Sequence, residues 1–172
     1  MDAFVYAVVM GSIGTAVSLF LLFRIFWLER SALLPYVTNL ISSFEHDGHL
    51  IVKLGVIIEN RSRGANTVRK ILLKARQEKD FSFQPLKFDF HNDGKAYVNY
   101  EGDEIEGICL AEEALILPLN IEGRQSSGGW LGFVISPELV DKVKSQKWCI
   151  KVFDESGKSF LSTSDRDQTI SV

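Results

Sequence analysis

The sequence predicts a mainly β protein. An N-terminal single transmembrane α-helix is followed by an antiparallel immunoglobulin-like β-sandwich with one short helix, a β-barrel being the alternative closure. Three observations predict it. Ala3 to Phe23 is a run of 21 residues without a charge. From Tyr36 onward the apolar residues fall in short alternating stretches. Those stretches are separated by turn pairs, Asp47-Gly48 and Asp93-Gly94, which are the strongest short-range hairpin signal. At 172 residues the chain has room for one domain plus an accessory segment. The expected division is an anchor over 1–30, a linker over 31–35 and the β domain over 36–172.

As a helix the uncharged run reaches ~31 Å, which matches the ~30 Å hydrocarbon layer of a bilayer. A core helix of a small soluble domain is shorter and carries a polar face. Here Tyr6, Ser12, Thr15 and Ser18 are the polar breaks, and each can bond within the helix. A cleaved signal peptide fits poorly, because no Lys or Arg precedes the run and the run exceeds the usual ~7–15 apolar residues. The run gives way to Trp27, Leu28, Glu29 and Arg30, a charged and aromatic exit.

Arg24 and Arg30 lie at the C-terminal end of the span, and only Met1 and Asp2 precede it. The Lys/Arg bias therefore predicts a cytoplasmic C-terminal domain. Arg24 can lift its head group to the interface beside Trp27, with Phe26 and Trp27 as aromatic anchors. Ala7, Gly11, Thr15 and Ser18, with Gly14 adjacent, have the small-xxx-small spacing of a helix-packing face.

In the β domain, 36–45 alternates and leads into the Asp47-Gly48 turn, and 49–60 is β-branched and ends in the turn "RSRG". The stretch "NTVRKILLKARQ" has helical propensity, but it follows a tight turn between β-rich runs and is expected to be a strand. "FSFQPLKFDF" spaces its Phe residues by two and carries Pro85, which marks an edge or bulge. Asp93-Gly94 turns into "KAYVNY". Residues 101–114 are acidic and read as a loop with a short helical turn. "LILPLNIEG" and "WLGFVIS" read as strands flanking a loop "RQSSGG". Ser136-Pro137-Glu138 starts a short helix to about Gln146, facing Leu139, Val140 and Val143 to the core. "KWCIKVFDESGKSFLSTS" closes the chain as two strands about an Asp-Glu-Ser-Gly turn, with Trp148, Ile150 and Val152 on one face.

The segment "HLIVKLGVIIENRSRGANTVRKILLKA", two long strands joined by an Asn-containing turn, and the later "ILPLNI" resemble membrane-anchored sandwiches of the late-embryogenesis-abundant type 2 or fibronectin type III kind. The resemblance covers roughly half of the domain. It implies the sandwich fold and no catalytic site.

The residues themselves offer little chemistry. Gly123 and Gly128 have phosphate-loop spacing, but Gly129 and Trp130 stand where Lys and Ser/Thr belong. His46 and His49 flank the first turn and should face each other across it, yet a metal site needs further ligands, and only Glu45 and Asp47 are near. His91 sits by the second turn. Asp154, Asp165 and Asp167 lack an ordered calcium loop. Cys109 and Cys149 give no disulfide framework and suit a reducing compartment, although they could pair. Asn60-Arg61-Ser62 is a glycosylation sequon, of the kind that arises often by chance.

The least random feature is charge segregation. Arg61, Arg63, Arg69, Lys70, Lys74, Arg76 and Lys79 crowd one hairpin, and Asp89, Asp93, Glu101, Asp103, Glu104, Glu106, Glu112 and Glu113 form the opposite block. Either the blocks pair or the basic hairpin meets anionic lipid headgroups. A net charge of −3 and the lack of a recognised module argue against nucleic acid as a partner. The expected function is a single-pass membrane-anchored, non-catalytic binding or assembly module. Its partners would be membrane lipid and a protein or a second copy, with no cofactor, metal or small-molecule substrate. The alternative is a membrane-tethered hydrolase or metal-dependent enzyme using the acidic segment and the histidines.

Overall fold

A computed structural model of the chain describes residues 3–28, 32–46, 48–75, 82–100, 103–144 and 148–162. The first element is α1 (Ala3–Leu28), 26 residues long, followed by β1 (Leu33–His46), β2 (His49–Asn60) and β3 (Asn66–Ala75). Then come β4 (Ser82–Phe83), β5 (Phe88–Phe90), β6 (Lys95–Tyr100) and β7 (Asp103–Leu110), with a 3₁₀ turn at Ala111–Glu113. The chain continues through β8 (Leu119–Ile121), β9 (Ser126–Ile135), α2 (Pro137–Lys144), β10 (Trp148–Asp154) and β11 (Ser159–Leu161).

The described strands pair antiparallel in three sheets, and none of the three hydrogen-bonded paths closes on itself. The first sheet runs β1-β2-β9. The second runs β11-β10-β3-β4, with β8 also on β3, and the third runs β5-β6-β7. The first two sheets share one core. Leu50, Val52, Leu54, Val56 and Ile58 of β2 alternate inward, joined by Leu131, Phe133 and Ile135 of β9. Val68, Ile71 and Leu73 of β3 and Trp148, Ile150 and Val152 of β10 contribute to the same cluster. The two-residue side-chain period puts each set on one face of its strand, except that Val68 joins Ile71 and Leu73 through an irregularity in the β3–β10 register.

β2 reads as almost unbroken apolar sequence, and part of its other face is covered too. Ile51, opposite Val134 on β9, packs under Leu86 and Phe88. Where both faces are buried no polar alternation is needed, whereas Ile57, further along that face, is exposed.

The turns form where the sequence places them. His46 pairs with His49 across the first hairpin, and β5 returns into β6 through His91–Gly94, where Gly94 has φ of 77°. Gly157, at φ 81°, closes the β10–β11 turn, and the buried Asp154 carboxylate accepts from the Ser156 hydroxyl and the Lys158 amide. The "NTVRKILLKA" stretch is a strand as expected, and Leu139 and Val140 of α2 pack on the core. α2 ends at Lys144; 145–147 lie outside the described residues, as does the Val143 side chain.

Several expectations change. β1 starts at Leu33, ahead of the Tyr36 that the alternation marks. "FSFQPLKFDF" is two strands in different sheets, since Pro85 falls in the crossover from the second sheet to the third. Asp103–Leu110, expected as loop, is a strand: its acidic residues mask a period that sets Ile105 opposite Val98 and Cys109 opposite Ala96. Ser126–Gly129, also expected as loop, extends β9 along β2. A Cβ at Gly128 would stand 2.7 Å from the Val56 carbonyl oxygen, so the small residues there permit close strand approach. "LILPLNIEG" forms a strand only over Leu119–Ile121, because Pro118 has no N–H for a ladder.

Candidate functional site

The loop between β2 and β3 is built on Asn60, which is 0% exposed. Its amide Nδ2 donates to the carbonyl oxygens of Gly64 (2.8 Å), Ile121 (2.9 Å) and Glu122 (3.2 Å). Its Oδ1 accepts from the Ser62 amide (3.1 Å), the Ser62 hydroxyl (2.7 Å) and Asn66 Nδ2 (2.8 Å). A buried side-chain amide is tolerated only when so satisfied. The sequon is therefore a structural element: a glycan on this nitrogen is incompatible with the fold.

The same network draws a second turn alongside. The Asn60 amide donates to the Gln125 carbonyl (2.8 Å), and the Arg124 amide to that of Ser62 (3.1 Å). A Cβ at Gly123 would lie 1.9 Å from the Arg63 carbonyl oxygen, so only glycine lets the two loops touch. The Arg61 amide donates to the carbonyl of Ala32 (2.9 Å), where the chain enters from α1. The exposed Arg61, Arg63 and Arg124 thus surround one pole of the domain, the pole nearest the helix in the chain.

The basic residues expected on one hairpin separate into two groups. Arg61 and Arg63 belong to the pole. Arg69, Lys70 and Lys74 lie along β3; Arg76 and Lys79 fall outside the described residues. Lys70 is opposite Phe153 and Lys74 is opposite Cys149, so both share the outward face of β3 and β10 with Lys151, whose Nζ stands 5.0 Å from the Phe153 ring centroid. Lys151 is absent from the sequence-derived patch because only the strand register brings it there. Arg124 is absent because its turn is distant in sequence from Arg63.

The two charge blocks do not join through the ion pairs of the described residues. Arg61 pairs with Glu59 (3.2 Å), and Arg69 with Glu155 (2.7 Å); neither acid belongs to the acidic block. Asp89, Asp103, Glu104 and Glu106 lie on strands of the third sheet and Asp93 in its β5–β6 turn, with Glu112 and Glu113 in the 3₁₀ turn after it, and Glu101 falls outside the described residues. Lys70, Lys74, Arg63 and Arg124 make no ion pair among the described residues.

Glu59 also accepts from the Tyr36 hydroxyl on β1 (3.1 Å), so the carboxylate ties β1 to β2 and the pole. Arg61, and then Tyr36, hold its pKa below the usual glutamate value. A depressed folded pKa stabilises above the unfolded value and is lost as pH falls through the folded one. Glu59→Gln should accordingly flatten the stability profile of the domain between neutral and acid pH, measured by denaturation at stepped pH. An unchanged profile would rule out this contribution.

Among the described residues no three His, Cys, Asp or Glu side chains gather as metal ligands. His46 and His49 face each other by register on the first sheet, whereas His91, on the third, has its ring centroid 4.5 Å from that of Tyr97. The Tyr97 hydroxyl donates to Asp93, which with the Lys95 amide lowers the Asp93 pKa. Cys109 and Cys149 are not joined in a disulfide, and burial raises the pKa of Cys109. Asp154 caps a turn, and Asp165 and Asp167 fall outside the described residues.

A second surface is apolar. A groove of about 350 Å³ lies at the free edge of β9, lined by Leu86, Phe88, Phe90, Leu115, Ile116 and Leu117 among others. The Leu115 and Leu86 amides cover parts of that edge by donating to Trp130 and Gly132, each at 2.9 Å. Phe90 and Ile116 remain exposed beside it.

In α1 the described side chains, Val8 through Ile25, are all exposed, including Arg24, so this is no core helix of the domain. It is long and apolar enough to cross a membrane, with mean hydropathy 1.9 over Val8–Ile25. The hydroxyls of Ser12, Thr15 and Ser18 donate to the carbonyls of Val8, Gly11 and Gly14, so each is satisfied within the helix. A Cβ at Gly11 or Gly14 would meet nothing within 4 Å. The Trp27 and Ala7 side chains, and all of Arg30, lie outside the described residues.

No known protein family matches the chain, and no curated protein matches it either.

Proposed function

We propose that the protein is a single-pass membrane-anchored β-sandwich, immunoglobulin-like in type, that acts as a non-catalytic binding or assembly module with its β domain in the cytoplasm and a basic surface toward anionic lipid. The observation that carries the reading is α1: its apolar surface is exposed from Val8 through Ile25, and in water such a surface needs a cover. Lipid supplies that cover, and the helix has the length to span it. The core shared by the first two sheets supports the sandwich. The exposed cations at the pole, next in the chain to the end of α1, support contact with anionic headgroups. The assembly role rests on the small-residue face of α1 and the exposed apolar groove, where a protein partner or a second copy would bind.

The anchored reading is tested by alkaline carbonate extraction of membranes carrying the full chain. The protein should stay in the pellet and leave it only with detergent; release by carbonate would overturn the reading. Orientation is tested in the same membranes. Replacing Arg24 and Arg30 together with Glu should expose the β domain on the opposite side to protease, because these two residues supply the positive bias. Unchanged protease access would show that they do not set it. Co-purification from native membranes tests the assembly role, and a strictly monomeric, partner-free protein would count against it.

A further inference from the structure

We infer that the pole formed by the β2–β3 loop and the Glu122–Gln125 turn is a headgroup-binding surface for anionic phospholipid, with Arg63 and Arg124 as the two cations that meet the phosphate. The inference rests on the anchored reading and names the surface that meets the lipid.

Chain length sets the distance of this pole from the bilayer. α1 ends at Leu28 and the described chain resumes at Ala32, four residues on. Four residues span at most about 14 Å when fully extended. Ala32 is itself bonded to Arg61. Of the domain's surfaces, this pole is therefore the one that the chain tethers most closely to the end of α1. Lys74, by contrast, lies eight residues along β3 from Asn66, about 26 Å further at strand rise. Screening limits attraction between exposed charges to about 8 Å in physiological salt, so proximity decides which cations the lipid feels.

The charge at the pole has the matching sign. Arg61 and Glu59 neutralise each other, which leaves Arg63 and Arg124 against the exposed Glu122. Arg24, at the end of the span, adds to the excess on the same side. The guanidinium fork suits phosphate oxygens. Both arginines are also held on a rigid base. The Arg124 amide is bonded to the Ser62 carbonyl, Arg63 is in contact with Gly123, and the buried Asn60 ties the two loops together. Rigid positioning reduces the ordering cost of binding.

Arg124 allows fold and binding to be separated. Its φ is 61°, in the left-handed region that glycine adopts at least cost. Arg124→Gly is therefore compatible with the turn while it removes the cation.

The test uses the full chain in nanodiscs of phosphatidylcholine alone or mixed with phosphatidylserine. Amide hydrogen exchange is followed over residues 61–64 and 122–125, and over β3 and β10. Phosphatidylserine should slow exchange in the two loops several-fold and leave β3 and β10 unchanged. High salt, or the Arg63→Ser/Arg124→Gly pair, should remove the slowing while the melting temperature is kept. Equal loop exchange in both lipids, or slowing confined to the Lys70, Lys74 and Lys151 face, would overturn the headgroup site yet keep the anchor. Failure of the protein to enter nanodiscs would overturn the anchored reading, and the site with it.

Discussion

Replacing Asn60 with alanine is expected to destabilise the β domain by about 3 kcal/mol or more, since each buried group left unsatisfied costs about 1–3 kcal/mol. The side chain makes three donor and three acceptor contacts, and truncation leaves the Ile121 carbonyl and the Asn66 amide buried or half-buried without that partner. Asn60→Asp separates the two halves of the interaction. It keeps the shape and the acceptor oxygen, but it turns a carboxylate oxygen toward the carbonyls of Gly64, Ile121 and Glu122. Burial among carbonyls would raise the carboxyl pKa in the folded state above its unfolded value. The folded state then binds the extra proton, and Asn60→Asp should regain stability as pH falls toward the unfolded carboxyl value. This trend is opposite to that of the Glu59 ion pair. Urea denaturation at neutral and mildly acid pH, followed by tryptophan fluorescence, measures both variants. A loss below about 1 kcal/mol for Asn60→Ala, within the range of a replaceable surface bond, would show that the network does not hold the loops.

Asn60 also shows where the sequence stops being informative. In the chain it is one asparagine of a common triplet, and nothing local marks it as buried. Its role depends on Ile121 and Glu122, some sixty positions on. Lys151 and Arg124 were illegible for the same reason: each joins a basic surface through a pairing that local patterning does not specify. Features that a local window determines were legible. α1 follows from the length of one uncharged run. The hairpins follow from Asp-Gly and Asp-Glu-Ser-Gly turns, and the inward set of β10 follows from its two-residue period. The acidic strand β7 and the Gly-Ser start of β9 were not, because charge and small residues resemble loop composition until a partner strand supplies the hydrogen bonds. The histidines were placed correctly opposite each other on the first hairpin. Their chemistry was not decided by that placement, because ligand sets form between elements.

Phe133→Ala tests the central packing statement, that two hydrogen-bonded sheets stand on one core. Phe133 is 0% exposed and is among the largest fully buried side chains. It sits opposite Val52 on the first sheet. Its cluster includes Ile71, Ile150 and Val152 of the second sheet, with which β9 shares no backbone ladder. Truncating a buried Phe typically costs about 3–5 kcal/mol through lost transfer energy and the cavity left behind. The diagnostic quantity is where that loss appears. If the sheets are one cooperative unit, native-state hydrogen exchange should accelerate by a similar factor in β2 and β9 and in β3 and β10, because opening either sheet exposes the same cavity. Ile51→Ala provides the contrast: Ile51 lies on the other face of β2 beneath Leu86 and Phe88. Beyond any global loss, its local effect should centre on the segment around Leu86 and Phe88. Acceleration confined to β2 and β9 in Phe133→Ala would mean that the second sheet is stable without the first. The shared core would then be a contact between two independent units, and the rigid pole, whose loops join β2 to β3 and β8 to β9, would lose the packing that fixes it.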